Sequence, residues 1–242
     1  MTPKVATSAV PSNAVKTLFL NVITVSFSWP SLICWRIRHI DLDQKGEERA
    51  TAQSAMNSFA PERVDESSRM LDAAKYSVIE LLRGGREIEI RALRPSDQDD
   101  LLAVIDRTSR QSLYRRFFGA KRSFSEKEIA FFLNIDFTKH VALVAVTQEG
   151  GHAAIVAGGR YVTERPGSAE VAFLVVDKYQ GQGVGALLLS HLANIARDAG
   201  LKEFTAEVLP DNVPMLKMFE NSGFKLSSKR ELSAVHVVLQ LG

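Results

Sequence analysis

The chain has 242 residues, of which 45% are hydrophobic and 24% charged, the profile of an ordinary folded protein with room for one ample domain and an appendage. A formal net charge of +2, without a long run of Lys or Arg, gives no ground for nucleic-acid or membrane attraction driven by charge. A single cysteine, Cys34, excludes an internal disulfide and a cysteine-rich metal site, and suits a reducing compartment.

Nineteen uncharged residues lie between Lys16 and Arg36, about the length that crosses a bilayer. Asn21, Pro30 and several Ser and Thr dilute that stretch, and no small-x-small cleavage site follows it. Residues 1–55 are therefore read first as an overhang ahead of a start at Met56, or as a tail without a selected fold. A docked or interfacial segment, or a span through residues 17–35, are the alternatives. Residues 56–75 read as a linker and a short helix, with Met70, Leu71 and Ala74 at helical spacing. The folded domain is expected over residues 76–242.

Two β-type runs, 76–82 and 87–93, flank Arg83-Gly84-Gly85-Arg86 and predict a hairpin with a primed turn. Next comes a helix with Ser96 or Asp97 as its N-cap and Leu101, Leu102, Val104 and Ile105 as its apolar stripe. A second helix is expected over 109–118. There Tyr114-Arg115-Arg116-Phe117-Phe118 reads either as core aromatics with solvated arginines or as the wall of an acyl or acceptor site. Ser125 and Glu128 form a capping box for a third helix. Strands follow over 141–147, 153–162 and 169–175, joined by turn-forming loops at 148–151 and 163–168.

The strand that ends near Val176 leads into Gln180-Gly-Gln-Gly-Val-Gly and then a strongly apolar helix over 183–199. Gly181, Gly183 and Gly185 leave the first helical turn bare, so that backbone N–H groups can approach a phosphate closely. Neither GxxxxGK[ST] nor GxGxxG fits this spacing, whereas [QR]xxGx[GA] does, on Gln180, Gly183 and Gly185. A strand over 204–209 follows, then a helix over 212–222 with Pro214 in its first turn and Gly223 past its end, and a last strand over 234–241.

Together, the QxxGxG loop and the later series Asn212, Met215, Phe219, Gly223 and Phe224 resemble the GNAT superfamily of acyl-CoA-dependent N-acyltransferases, over about 87–241. The resemblance implies an α/β (α+β) fold in which helices flank a central mixed, mostly antiparallel sheet, with a V-shaped opening between the two central parallel strands. It implies acetyl-CoA as cosubstrate, bound by Phe173, Leu174, Val175, Gln180, Gly181, Gln182, Gly183, Val184, Gly185, Ala186, Asn212, Met215 and Phe219. The segments IRALRPSD from Ile90, SLYRRFFG from Ser112, AEVAF from Ala169 and DNVPM from Asp211 are further similar to bacterial Pat-type protein lysine acetyltransferases, which acetylate acyl-CoA synthetases. That group often carries a fused regulatory or synthetase-like domain, for which nothing before Tyr76 has room, so a stand-alone catalytic domain is expected.

The Pat-type pattern implies Glu170 as general base, with an exposed edge charge as its plainer reading. Glu207 is the reserve and Glu203 a third candidate. Alternation puts Glu170, Ala172 and Leu174 on one strand face and Val171, Phe173 and Val175 on the other. An oxyanion would be met by a backbone N–H near Leu174 or Val175. Many members carry a Tyr that protonates the leaving thiolate; the matching residue here is Phe219, and Tyr114 and Tyr179 stay open for that role. His39, His140, His152, His191 and His236 lack ligand spacing and read as structural or surface residues, so no metal is expected. The acceptor is a protein lysine, of the acyl-CoA synthetase type, or a small amine; a CoA-sensing module without catalysis is the third reading. Neither nucleic acid nor a membrane is an expected partner, and the location is cytoplasmic.

Overall fold

The computed structural model describes residues 73–121 and 123–242. The readings of residues 1–55, with Cys34 and His39, and of the linker lie outside the described residues, as does the short helix expected before residue 76 except for 73–75, of which 73–74 are helical. Among the described residues no helix is long and apolar enough to cross a membrane.

The hairpin forms as β1 (Ser77–Leu81) and β2 (Glu87–Ala92), antiparallel from Ser77 opposite Arg91 to Leu81 opposite Glu87. Its turn is not the primed one. Gly84 and Gly85 have φ of +106° and +78°, but Arg83 is not among the residues with positive φ, and Gly85 N donates to Leu82 O at 3.0 Å. A positive first position belongs to both primed types, so Gly84 takes the third position of a type II turn instead and Gly85 lengthens the loop.

A 3₁₀ turn, Pro95–Asp97, precedes α1 (Gln98–Asp106). Asp97 occupies the N-cap position but makes no side-chain cap to α1. Its carboxylate is held by Arg91 instead, Nη1 to Oδ2 at 2.7 Å and Nη2 to Oδ1 at 2.8 Å, and Oδ2 also accepts from Arg94 N at 2.8 Å. α2 (Arg110–Phe117) is capped by Ser109, and α3 (Glu126–Leu133) by the expected Ser125/Glu128 box.

β3 (His140–Glu149), β4 (His152–Arg165) and β5 (Ser168–Val175) form an antiparallel meander. β4 is longer than the sequence suggests. It runs through 163–165, so that Pro166 and Gly167 alone make the turn, with Gly167 at φ +81°. Near its end the register passes from Thr163 opposite Ala169 to Arg165 opposite Ser168, leaving Glu164 as the extra residue of a bulge. α4 (Val184–Asp198) crosses over to β6 (Glu203–Val208), and α5 (Val213–Glu220) leads to β7 (Lys225–Arg230) and β8 (Val235–Gln240). β7, absent from the sequence reading, pairs with β8 along its whole length.

The described strands form one sheet in the order β1-β2-β3-β4-β5-β6-β8-β7, in which β5 and β6 are the parallel pair. Their pairing covers only Ser168 with Glu203, Ala169 with Phe204 and Glu170 with Thr205. Beyond it β5 stays on β4 up to Val175, while β6 stays on β8 up to Val208. The sheet therefore opens in the middle, as the resemblance implies. The core below it comes from alternate positions of the central strands and from Leu188, Leu189 and Leu192 of α4, all buried.

Candidate active site

The opening between β5 and β6 is the mouth of a cleft of about 450 Å³. Every residue expected to bind the cosubstrate lines it except Gln182, and so do Glu170 and Glu207. Gln182 turns away, its Nε2 donating to Lys178 O at 2.7 Å.

The floor of the opening is backbone. Val176 N donates to Val156 O at 3.0 Å. Alternation along an antiparallel ladder then turns the N–H and C=O groups of Phe173 and Val175 away from β4 and into the opening, and those of Leu174 toward β4. Of the two N–H groups considered for an oxyanion, Val175 is the one so directed, and Phe173 joins it. Val175 O accepts from Gln180 Nε2 at 3.0 Å, which ties the glycine loop to the strand it follows.

The three loop glycines serve two different ends. Gly181 (φ +72°) and Gly183 (φ +93°) turn the chain through left-handed conformations that a side chain resists. Gly185 lies inside α4, where an added Cβ would come within 2.9 Å of Met218 Sδ on α5. Its missing side chain leaves room for the Met218 thioether. Gly183 caps α4 without a side-chain bond, so the first N–H groups of the helix have no partner within it and its positive dipole end faces the cleft. Arg83, from the hairpin turn, and Lys217, from α5, line the cleft as well. Sequence reasoning missed both, since their approach depends on tertiary packing.

Asp177 fixes the same loop to α2. Its Oδ2 accepts from Ser109 N at 2.6 Å, and its Oδ1 from the hydroxyls of Ser109 at 2.8 Å and Ser112 at 2.9 Å. Burial works against its charge, but these bonds hold its carboxyl below the usual range. Arg115 reaches from α2 to Asp211, donating to the backbone O at 3.0 Å, while its buried Nε has no partner. Arg115, Arg116 and Phe118 line the cleft, whereas Tyr114 is 49% exposed. Of the Tyr114–Phe118 cluster, Arg115, Arg116 and Phe118 thus line the cleft while Tyr114 and Phe117 do not, and its arginines are not simply solvated.

Glu170 is buried, 4% exposed, on the strand face that carries Ala172 and Leu174. It is therefore no exposed edge charge. Its carboxyl is hydrogen-bonded to Glu164, the bulge residue of β4. Burial pushes the Glu164 carboxyl up, the bond to Glu170 and the charges of Arg165 and His236 oppose this, and the charge of Glu207 adds to it. Glu207 is bonded to His236 Nδ1 at 2.7 Å. Glu203, the third carboxylate considered, lies outside the cleft lining and pairs with Arg165 at 3.0 Å.

Phe219 is buried, 1% exposed, with its ring edge-on to Phe173 at 6.3 Å, and brings no hydroxyl. The Tyr179 hydroxyl is engaged by Glu149 Oε1 at 2.5 Å, and burial followed by that bond pushes its pKa up. Tyr114 is not in the cleft lining. Among the histidines, His191 joins the Tyr76 hydroxyl at 2.5 Å and Glu80 at 3.2 Å, pinning the first hairpin to α4.

A family model described as the acetyltransferase (GNAT) family matches residues 108–224. The chain is similar to Acetyltransferase Pat of Mycolicibacterium smegmatis, 33% identical over 144 residues, which cover 59% of this chain and 42% of that one. It is also similar to Acetyltransferase PA5475 of Pseudomonas aeruginosa, 32% identical over 126 residues, 52% of this chain and 68% of that one. Thus the match spans less than half of the first relative and about two thirds of the second. Among solved structures, the GNAT domain of S. lividans PAT superposes with a TM-score of 0.62 at 34% identity, covering 68% of this chain and 96% of that one.

Proposed function

The chain belongs to the acetyltransferase (GNAT) family, and on that premise we propose that it transfers acetyl from acetyl-CoA to the ε-amine of a protein lysine, with Glu170 as general base. The cosubstrate pyrophosphate sits on the first turn of α4, among the N–H groups around Gly183–Ala186. The pantetheine arm lies in the opening between β5 and β6. Asn212, Met215 and Phe219 line its other side.

An acceptor lysine is protonated at neutral pH, so a carboxylate must remove its proton before attack. Glu170 takes the N–H proton; the nitrogen lone pair then forms the new N–C bond at the thioester carbonyl. Charge on the carbonyl oxygen is met by the N–H groups of Phe173 and Val175. As the carbonyl re-forms the C–S bond breaks, the attacking nitrogen gives up its second proton, and water passes that proton to the departing thiolate, because Phe219 has none to give and the Tyr179 hydroxyl is engaged by Glu149.

The observation that carries this reading is a buried carboxylate beside a parallel seam that opens onto a glycine-rich helix start. Similarity to Pat enzymes supports a lysine of an acyl-CoA synthetase-type protein as acceptor, and a cytoplasmic location suits such a partner. The test is transfer of labelled acetyl from acetyl-CoA to purified acyl-CoA synthetases by the full chain, wild type and Glu170→Gln. Labelling that falls at least about 100-fold in the variant, with CoA binding intact, supports acceptor and base together. Thiol release with an amine panel but no protein labelling moves the acceptor to small amines. CoA binding without turnover leaves a sensing module.

A further inference from the structure

On the face of β4 and β5 that carries Arg160, Ala172 and Leu174, a cavity of about 50 Å³ lies between the sheet and helices α1 to α3. It shares Arg116, Ala172 and Leu174 with the lining of the main cleft, and is a side chamber next to that cleft. Its walls are apolar, with Leu101, Val104 and Phe117 among them. Two cations line it.

Arg160 stands opposite Ala172 in the β4–β5 ladder and is 8% exposed. Its Nη1 meets His140 Nε2 at 3.2 Å, its Nη2 donates to Phe132 O at 3.4 Å, and its guanidinium carbon lies 4.6 Å from the Phe132 ring centre. Those partners are neutral dipoles and a ring face. Among the described residues no carboxylate forms an ion pair with Arg160. Burial, and then the charge of Arg116, push its guanidinium down to about 9, which leaves it protonated at neutral pH. A buried cation without a counter-charge is costly, and a second cation on the same chamber adds to the cost.

We propose that the side chamber receives a carboxylate carried by the reacting substrate, and that Arg160 is the residue that selects for it. This rests on the acyltransferase reading of the main cleft. A guanidinium presents a planar fork that matches a carboxylate, and the chamber is far too small for a nucleotide phosphate with its sugar. Adjacent strands lie about 4.8 Å apart, so a carboxylate two or three carbons beyond the reacting centre spans from β5 to Arg160 on β4. Its tether would run over Ala172 and Leu174. Two sources share this chemistry, a dicarboxylic acyl group on the CoA thioester or an acidic group on the acceptor.

The experiment uses the full chain and two sets of substrates. In the first, succinyl-CoA is compared with butyryl-CoA, its neutral counterpart of equal chain length, on one amine acceptor. In the second, acetyl-CoA is held constant and lysine peptides with a neighbouring Asp are compared with their Asn versions, alongside free amino acids and their amides. We expect the carboxylate to raise kcat/KM at least about tenfold in one set, and Arg160→Met to reduce that ratio to about twofold or less. Should Arg160→Met fail to fold, Arg160→Lys keeps the charge and is expected to weaken the ratio at least threefold. Wild-type transfer that ignores the carboxylate in both sets overturns the proposal alone and makes Arg160 a fastener of α3, as does a preference that survives in folded Arg160→Met. No transfer from any donor to any acceptor overturns the acyltransferase reading with it.

Discussion

Gly159 in β4 supports the site from behind, and Gly159→Ala tests how. A Cβ built there would lie 2.8 Å and 2.9 Å from Cδ1 and Cε1 of Phe173, and 3.1 Å from Leu192 Cδ1. Ordinary carbon contacts lie at about 3.5–4.0 Å, so roughly 0.6–1 Å of overlap must be relieved. The Phe173 ring is 3% exposed and held edge-on by Phe219, and Leu192 is fully buried on α4, so neither moves freely. Overpacking of this kind costs about 1–3 kcal/mol, offset by about 0.4–1 kcal/mol from the smaller entropy of the unfolded chain. The net loss is about 1–2 kcal/mol, which corresponds to a fall in Tm of roughly 2–8 °C. Urea unfolding and calorimetry measure it, and isothermal titration with CoA tests the site, because the displaced ring moves toward the cleft. Phe173→Ala in the same chain removes the overlapped atoms, so the double variant is expected to lose less than the two single losses added together. Wild-type stability and CoA affinity in Gly159→Ala, or strict additivity in the double variant, would refute this reasoning.

Breaking the buried pair through Asp97→Ala strands the Arg91 cation and is expected to cost about 3–5 kcal/mol, whereas Arg91→Met with Asp97→Leu costs far less; urea titration compares them. Partial desolvation pushes the Glu164 carboxyl up although the residue is exposed, so its ionisation opposes folding only slightly above the ordinary carboxylate range; Glu164→Gln should therefore gain a little stability at pH 7 and lose that gain as pH falls toward about 4. Thermal melts across that window check the sign, and a gain that grows on acidification would contradict it. Arg83→Ala is expected to raise the KM for acetyl-CoA about two- to fivefold, an effect that shrinks with added salt, and to leave kcat close to wild type.

Sequence carried the architecture wherever side chains report on burial. The β3–β5 meander, the QxxGxG turn and the Ser125 box are written in alternation, glycine spacing and cap chemistry, which are local properties. By contrast, β7 is KLSSKR, almost wholly exposed and polar; only its ladder to β8 makes it a strand, and no local pattern announces that. Asp97 looked like a cap because Asp precedes the helical stripe, yet a stronger bidentate partner was six residues back on β2. Arg160 alternates with Tyr161 as a solvent-facing residue would, and only the helices laid over that face bury it. Within the site, the glycine loop follows from motif spacing, and the AEVAF pattern pointed to Glu170, which the structure puts in the cleft lining. The bond between Glu164 and Glu170 was not legible, since a bulge is a matter of register between two strands.

The short parallel seam has a consequence for how the chain survives without its ligand. Past Glu170, β5 keeps one edge free in the middle of the sheet, with N–H and C=O groups directed at a partner strand that has turned away. Such an edge is the kind on which foreign strands assemble, and here it cannot be blunted by the lysines, prolines or short lengths that protect outer edges, because it must stay open to work. An extended ligand with amide groups of its own closes it from within. On the acyltransferase reading, cosubstrate supply is expected to govern colloidal fate as well as turnover: the empty chain aggregates first under mild heating, and CoA, added in excess, holds it in solution through the same backbone groups.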